Sequence, residues 1–322
     1  MGELYQLLQK KGSLFFWTSI LALSALVVYP LAGALMMAAV FHATGVEGGF
    51  SHLEEGLLAP VRAVQAIGQV LFLGIPVFFL AGLQTGEKRV FSRGNFRFLG
   101  LGPRPPWRVT MLAVLGVVLL QPLVYLMIHY IGHLLSLWGE TGRMLLDDQM
   151  RLERVLFFLA DADSFPEFLV VVFVIAVVPA FCEEVFFRGF IQRNYVRTLS
   201  PARGVLLAGL VFGLFHLSPV NLLPLTVMGW YLGYVYYRSG NLLVPAAVHF
   251  SNNILSLAVL QLQRGNPEAY PGTSMPGVAP EQLLALAGVS LALLVVVVFR
   301  LDRLTAGRVR ASDSCRSRPS SL

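Results

Sequence analysis

The sequence predicts an all-α membrane protein, a polytopic bundle of about eight transmembrane helices with both termini in the cytoplasm. Apolar residues make up 56% of the 322-residue chain and charged residues only 13%, and the mean hydropathy is +0.69. A soluble domain carries roughly 25% charged residues, so this chain cannot cover a surface in water and needs the lipid bilayer as its solvent. The apolar residues also form long runs, and the basic residues fall between those runs.

Eight apolar segments approach the length of about 20 residues that a helix needs to cross a bilayer core about 30 Å thick. They are residues 14–41, 64–83, 107–135, 165–190, 203–217, 222–237, 242–262 and 283–299. The intervals at 84–106 and 136–164 are polar and loop-sized, so we expect no soluble domain between the spans. The first run is too long for the apolar region of a signal peptide, about 7–15 residues, and we expect it to remain as a span.

The basic residues orient these segments. With the N-terminus inside and every segment crossing, 19 of the 24 Lys and Arg residues lie on the cytoplasmic side. Because Lys and Arg are enriched in cytoplasmic loops, this distribution predicts an even number of spans, with residues 140–154 and 265–280 outside. The net charge of +6 is therefore explained by orientation, and no nucleic-acid partner is expected.

Two features predict irregular structure inside the membrane. Segments 203–217 and 222–237 are short, so the turn at 218–221 is expected below the outer surface, where only protein or a polar cavity can satisfy its backbone. In the fourth segment Pro179 removes a backbone donor and is expected to kink the helix just before Cys182.

The first polar cluster inside a predicted span is Glu183-Glu184, followed by Arg188. A charge at the bilayer centre costs at least about 2.5–3.5 kcal/mol and therefore marks a candidate functional site. Glu184 and Arg188 are four residues apart on one helix face and can pair, whereas Glu183 points about 100° away and stays available. A plain ion-paired helix end is the structural alternative.

Two further clusters contain His216, and His249 with Asn253 four residues later. Each alone is also explained by hydrogen bonds between helices. Their depths favour a shared site: Glu183 lies 17 residues before the hairpin turn at Ser200 and His216 lies 16 after it. Antiparallel helices place equal offsets at equal height, and at 1.5 Å per residue His249 and Asn253 fall roughly 12 and 18 Å deep.

These motifs together resemble those of the CPBP family of intramembrane proteases (CAAX protease and bacteriocin-processing, or Abi), which includes the type II CAAX prenyl endopeptidases. The motifs are Glu-Glu-x-x-x-Arg at 183–188, Phe-x-x-x-His at 212–216 and His-x-x-x-Asn at 249–253. Each is weak alone, but three in order on predicted membrane helices are specific. The resemblance covers about residues 165–262, a core of four helices.

The resemblance implies a role for each residue. Glu183 is the expected general base, acting on a water together with His216; His249 and Asn253 are the expected oxyanion pair, and Glu184 and Arg188 support them. Glu183, His216 and His249 could also ligate Zn²⁺, since two His and a carboxylate form a known catalytic zinc set. A metal-free glutamate mechanism is equally consistent. A His-Glu-x-x-His zinc motif and a Gly-x-Ser-x-Gly nucleophile motif are absent from the sequence.

The sequence thus predicts four regions: N-terminal helices and loops at 1–160, the protease-like core at 161–263, an outside loop and last span at 264–300, and a disordered basic cytoplasmic tail at 301–322. The expected function is that of an intramembrane endopeptidase acting on a membrane-associated protein or peptide. If the source is bacterial, the expected location is the cytoplasmic membrane. The alternatives are a non-proteolytic scaffold or immunity-type protein of the same fold, and a transporter that uses the same polar residues as an ion path.

Overall fold

The structure is a computed structural model, and it describes residues 10–46, 55–102, 104–263 and 278–316. The described residues form helices joined by turns, without a β-strand among them, which confirms the all-α class. In chain order the helices are α1 (Lys11–Thr44), α2 (Leu58–Thr85), α3 (Arg93–Phe98), α4 (Trp107–Ser136), α5 (Gly139–Ala160), α6 (Phe165–Thr198), α7 (Pro201–Phe215), α8 (Leu222–Ser239), α9 (Leu243–Gln263) and α10 (Pro280–Arg316).

Within the described residues, six helices are long and apolar enough to cross a membrane: α1, α2, α4, α6, α9 and α10. Each of them covers one of the predicted segments. The two remaining segments are α7 and α8, which have 15 and 18 residues. The chain is therefore an integral membrane protein, while eight crossings and a cytoplasmic location of both termini stay predictions.

Helices α7 and α8 pack closely through small residues. A Cβ atom added to Gly213 would lie 2.2 Å from the Thr226 hydroxyl oxygen, and one added to Gly209 would lie 2.8 Å from the backbone nitrogen of Trp230. Small residues allow such close approach in membrane bundles, where lipid provides no hydrophobic force between helices. This pairing fixes the end of α7, which carries His216.

Helix α6 contains two π-helical stretches, Val172–Val177 and Val185–Gln192. Pro179 has no N–H group, so the carbonyl of Ile175 loses the donor of a regular helix. The wider π turn before Pro179 accommodates this break. The disturbance predicted ahead of Cys182 thus takes the form of a π turn.

Helix α5 occupies an interval that the sequence predicts as a polar loop, and that prediction is wrong for its 22 residues. The helix is amphipathic and buries Glu153 and Leu159. Gln149 of α5 accepts hydrogen bonds from Ser218 at 2.7 Å and Asn221 at 3.0 Å. It thereby satisfies polar groups in the turn before α8, as expected for irregular structure inside a membrane. The other polar interval contains the short helix α3.

Helix α10 continues to Arg316, although the sequence predicts the last span to end at 300 and a disordered tail to follow. The added turns are held by polar contacts that hydropathy does not measure. Arg238 of α8 contacts Asp302 at 2.9 Å and donates to Thr305 at 3.0 Å, and Leu301 and Thr305 are buried. Residues 264–277 of the predicted outside loop and 317–322 of the predicted tail lie outside the described residues.

Candidate active site

Four of the polar side chains singled out in the sequence line one cavity of about 240 Å³. They are Glu183 from α6, His216 at the end of α7, and His249 and Asn253 from α9. Helices α2 and α5 complete the wall, with Gln65 of α2 as a further polar group. The structure therefore brings together residues that the sequence places only at similar depths.

Glu183 is buried, with 6% of its surface exposed, and its two carboxylate oxygens differ in their partners. Oε1 accepts a hydrogen bond of 3.1 Å from Nε2 of Gln69, on α2. Oε2 has no hydrogen-bond partner among the described residues and lies 3.9 Å from Nε2 of His249. One oxygen is thus held in place, and the other remains free to accept a proton.

Glu184 and Arg188 form the predicted ion pair, with 2.7 Å between Oε1 and Nη1. Their side chains are 0% and 1% exposed, so the pair is shielded from water. The same Oε1 atom accepts a hydrogen bond of 2.9 Å from Nδ1 of His249. Because a carboxylate can only accept, this contact places a proton on Nδ1 and directs Nε2 of His249 toward Glu183.

The ring of Phe212 packs against the arginine of the ion pair and against both histidines of the site. The Arg188 guanidinium lies over the Phe212 ring, 4.3 Å from its centroid. The same ring contacts His216 and His249 edge to face, with centroid distances of 4.9 and 5.8 Å. The aromatic residue of the Phe-x-x-x-His motif therefore packs between the two histidines and also stabilises the arginine.

His216 is fixed through its backbone-facing nitrogen. Nδ1 lies 2.9 Å from the Phe212 carbonyl oxygen, which can only accept, so Nδ1 carries the proton and Nε2 has the lone pair in the neutral ring. The next residue, Leu217, has a φ of 50°, a left-handed conformation that is uncommon for residues other than glycine. Such strain is expected where the chain must hold a functional side chain.

Asn253 lies one helical turn after His249 on the same face of α9 and lines the same cavity. Its Oδ1 atom accepts a hydrogen bond of 3.4 Å from Nδ2 of Asn252. With Oδ1 engaged in this way, the amide N–H groups of Asn253 are left to donate into the cavity. A donor there is what a developing oxyanion requires.

The cavity does not group the proposed zinc ligands. Among the described residues, no three His, Cys, Asp or Glu side chains lie close enough together to hold a metal ion. Nε2 of His249 and Oε2 of Glu183 face each other at 3.9 Å, but no third side chain of these types joins them among the described residues. The described side chains therefore do not fit a zinc site with three protein ligands.

Gln69 is a residue of the site that the sequence motifs do not reveal. This residue is 3% exposed and donates directly to Glu183 from a π-helical stretch of α2, Gln69–Gly74. Gln65 and Gln69 are four residues apart in a predicted apolar span; Gln65 lines the cavity, and Gln69 contacts Glu183. That pair of amides on one helix face is the signal that could have revealed the contribution of α2.

Comparison with known families agrees with this geometry. Residues 165–255 match the family described as type II CAAX prenyl endopeptidase Rce1-like. No curated protein and no solved structure matches the chain. The matched span contains all six site residues predicted from the sequence, whereas Gln69 and α5 lie outside it. The match supports assigning residues 165–255, the protease-like core of the chain, to the CPBP family of CAAX-type proteases.

Proposed function

We propose that this protein is an intramembrane endopeptidase that hydrolyses a peptide bond of a membrane-associated protein or peptide. One observation carries the proposal: Glu183, His216, His249 and Asn253, from three parts of the chain, converge on a single cavity in an apolar bundle. Polar groups buried in a membrane cost free energy and are expected mainly where they have a function. The family assignment supports the same class of reaction.

In this proposal Glu183 is the general base. Its free Oε2 takes a proton from a water molecule that also donates a hydrogen bond to Nε2 of His216. The resulting hydroxide attacks the carbonyl carbon of the peptide bond, and Glu183 then passes the proton to the leaving amine. Gln69 keeps Oε1 occupied throughout, so that Oε2 faces the water.

The negative charge that develops on the carbonyl oxygen is stabilised by Asn253 and His249. Asn253 donates from its side-chain amide. His249 faces the oxygen through Nε2, and the contact of Nδ1 with Glu184 on the opposite side of the ring fixes its orientation. Donors held in place before the reaction, in a site without bulk water, are the most effective form of this stabilisation.

The substrate is proposed only as a class. The matched family is described as a type II CAAX prenyl endopeptidase. A prenylated substrate also requires a host cell that prenylates proteins. We place the enzyme in the cytoplasmic membrane if the host is bacterial. The reporters that test the proposal should therefore include membrane-anchored peptides with and without an isoprenoid group.

The test is hydrolysis of quenched, membrane-anchored reporter peptides by the protein reconstituted in vesicles. Glu183→Gln keeps the size of the side chain but removes the base, so kcat should fall by about 10²–10⁴-fold or more. Asn253→Ala removes one oxyanion donor and should cost about 10²–10³-fold. Glu140→Gln, at the exposed start of α5, is the matched control and should keep full activity.

The same variants separate the alternatives. A scaffold would bind its partner without cleavage and would tolerate Glu183→Gln, while a transporter would show solute flux across the vesicle membrane. A Glu183→Gln protein that is monodisperse and fully active would show that this site is not a protease site.

A further inference from the structure

A second cavity, called here the side chamber, has a volume of about 220 Å³. It adjoins the cavity lined by Glu183, His216, His249 and Asn253, which we call the catalytic cavity. The two cavities share three wall residues, Leu156, Ser256 and Leu260. Polar side chains of α4, α5, α9 and the turn before α8 line the chamber: Gln121, Tyr125, Gln149, Glu153, Asn221, Asn252 and Ser256. Helices α4 and α5 precede the residues matched by the family.

Hydrogen bonds organise most of these polar groups. Oε1 of Gln149 accepts from Ser218 and Asn221, and Nε2 of Gln149 donates to Oε1 of Glu153 at 2.8 Å. Across the chamber, Nε2 of Gln121 donates to Oδ1 of Asn252 at 3.1 Å. The amide oxygens of Gln149 and Asn252 are therefore already occupied. The second oxygen of Glu153 has no hydrogen-bond partner among the described residues.

Glu153 is also the one charged side chain among the described residues that line the chamber, and it is 7% exposed. Burial raises the pKa of this carboxyl group, and the single hydrogen bond from Gln149 opposes that rise. A buried carboxylate with one donor is costly unless a positive partner completes it. Glu153 therefore presents one carboxyl oxygen without a hydrogen-bond partner to the chamber, and a bound cation would favour the ionised form of this group.

The kind of partner follows from the remaining acceptors. A bound divalent cation such as Ca²⁺ takes six to eight oxygen ligands, whereas the amide oxygens of Gln149 and Asn252 in this chamber already accept hydrogen bonds. A Lys or Arg side chain needs only a carboxylate and brings its own donors. The arrangement thus suits an organic cation better than a metal ion.

The chamber also lies within reach of a peptide in the catalytic cavity. Glu153 precedes the shared wall residue Leu156 by three positions on α5, about 4.5 Å along the helix axis. An extended peptide advances about 3.3 Å per residue. A side chain within a few residues of the scissile bond is therefore close enough to reach toward Glu153.

We propose that the side chamber is a substrate subsite, in which Glu153 binds a Lys or Arg side chain located within a few residues of the hydrolysed bond. The proposal rests on the proposed protease function and deepens it by assigning a specificity-determining residue. It makes the enzyme selective for membrane-associated peptides with a basic residue near the cleavage site.

The test uses membrane-anchored reporters that differ at one position, occupied by Lys, Met or Glu and moved stepwise along both sides of the cleavage site. At one position the wild-type protein should cleave the Lys reporter about 10–100-fold more efficiently than the Met reporter, as expected for a hydrogen bond to a charged group. Glu153→Gln should abolish this ratio, and Glu153→Lys should favour the Glu reporter. The control Glu140→Gln should retain the wild-type ratio.

Binding to the inactive Glu183→Gln protein separates this proposal from the protease proposal. Fluorescence anisotropy in nanodiscs should show tighter binding of the Lys reporter, lost on adding Glu153→Gln. If this preference is found but the wild type cleaves no reporter, the protease proposal fails, and Glu153 is retained only as a binding site for a basic side chain. If the wild type cleaves and neither assay shows a charge preference, or if Glu153→Gln slows all reporters equally, as a water path would, the subsite proposal is overturned.

Discussion

His249 is held by Glu184, through a 2.9 Å contact between Nδ1 and Oε1, while Glu183 lies 3.9 Å from the other ring nitrogen. Arg188 binds the same Glu184 oxygen at 2.7 Å. One buried carboxylate therefore orients a histidine of the site and balances the charge of an arginine. We therefore propose a supporting role for Glu184 and a different role for Glu183, because the two adjacent glutamates make different contacts.

Arg188→Ala is expected to destabilise the protein, because it leaves Glu184 buried without its charge partner. Removing one member of a buried ion pair costs about 3–5 kcal/mol. Arg151→Ala is the matched control, since Arg151 pairs with Asp148 at 3.3 Å with both side chains more than half exposed, and such pairs contribute about 0–1 kcal/mol. Thermal unfolding in detergent measures both variants. Equal unfolding temperatures for the two variants would contradict the role given to Arg188.

Helical geometry explains which parts of the site could be predicted from sequence. Residues four apart share a face, so the Glu184–Arg188 pair could be predicted and is confirmed. Depth along antiparallel helices follows from a fixed rise per residue, so Glu183 and His216 could be placed at one level, and they line one cavity. Both arguments use only distances along the chain.

Contacts between helices distant in sequence could not be predicted in this way. Gln69 and Glu183 are separated by 114 positions and Glu184 and His249 by 65. Nothing in a single sequence fixes which face of α2 meets α6, and π turns in both helices change the faces further. The amphipathic helix α5 was missed for a different reason: hydropathy identifies spans, whereas α5 is polar and is stabilised by hydrogen bonds such as that of Gln149 with Ser218.

Because the described side chains do not group three metal ligands, we expect hydrolysis to survive chelation. The measurement is hydrolysis after dialysis against a strong chelator, together with the metal content of the purified protein. Loss of activity on chelation, with recovery on adding Zn²⁺, would instead require the histidines and Glu183 to move together around an ion. Full activity without bound metal would show that Glu183 acts as the base without a metal ion.

The predicted orientation can be checked at two exposed residues, Arg93 in α3 and Glu140 in α5. The positive-inside distribution places Arg93 in the cytoplasm and Glu140 outside. In a Cys315→Ser background, a membrane-impermeant maleimide added to intact cells should label Glu140→Cys. Arg93→Cys should be labelled only after permeabilisation. The reverse pattern would show that both termini face outward.

The contribution of α2 to the site is tested at Gln69, whose amide holds Oε1 of Glu183 at 3.1 Å. Without this hydrogen bond the carboxylate is free to rotate, so Gln69→Leu should lower kcat and leave KM nearly unchanged. A hydrogen bond to a charged group contributes about 1.5–3 kcal/mol, and each 1.36 kcal/mol in the barrier is a factor of ten, so the expected loss is about 10–100-fold.

Gln65→Leu is the matched control for this prediction. Gln65 lies one turn earlier on α2 and lines the same cavity, but has no hydrogen bond to Glu183. The Gln65→Leu substitution therefore changes the polarity of the cavity wall, while the hydrogen bond from Gln69 to Glu183 remains. A similar loss of kcat in both variants would assign the effect to wall polarity, and full activity of Gln69→Leu would show that Glu183 needs no support from α2. Loss confined to Gln69→Leu, at an unchanged unfolding temperature, identifies Gln69 as the residue that positions the base.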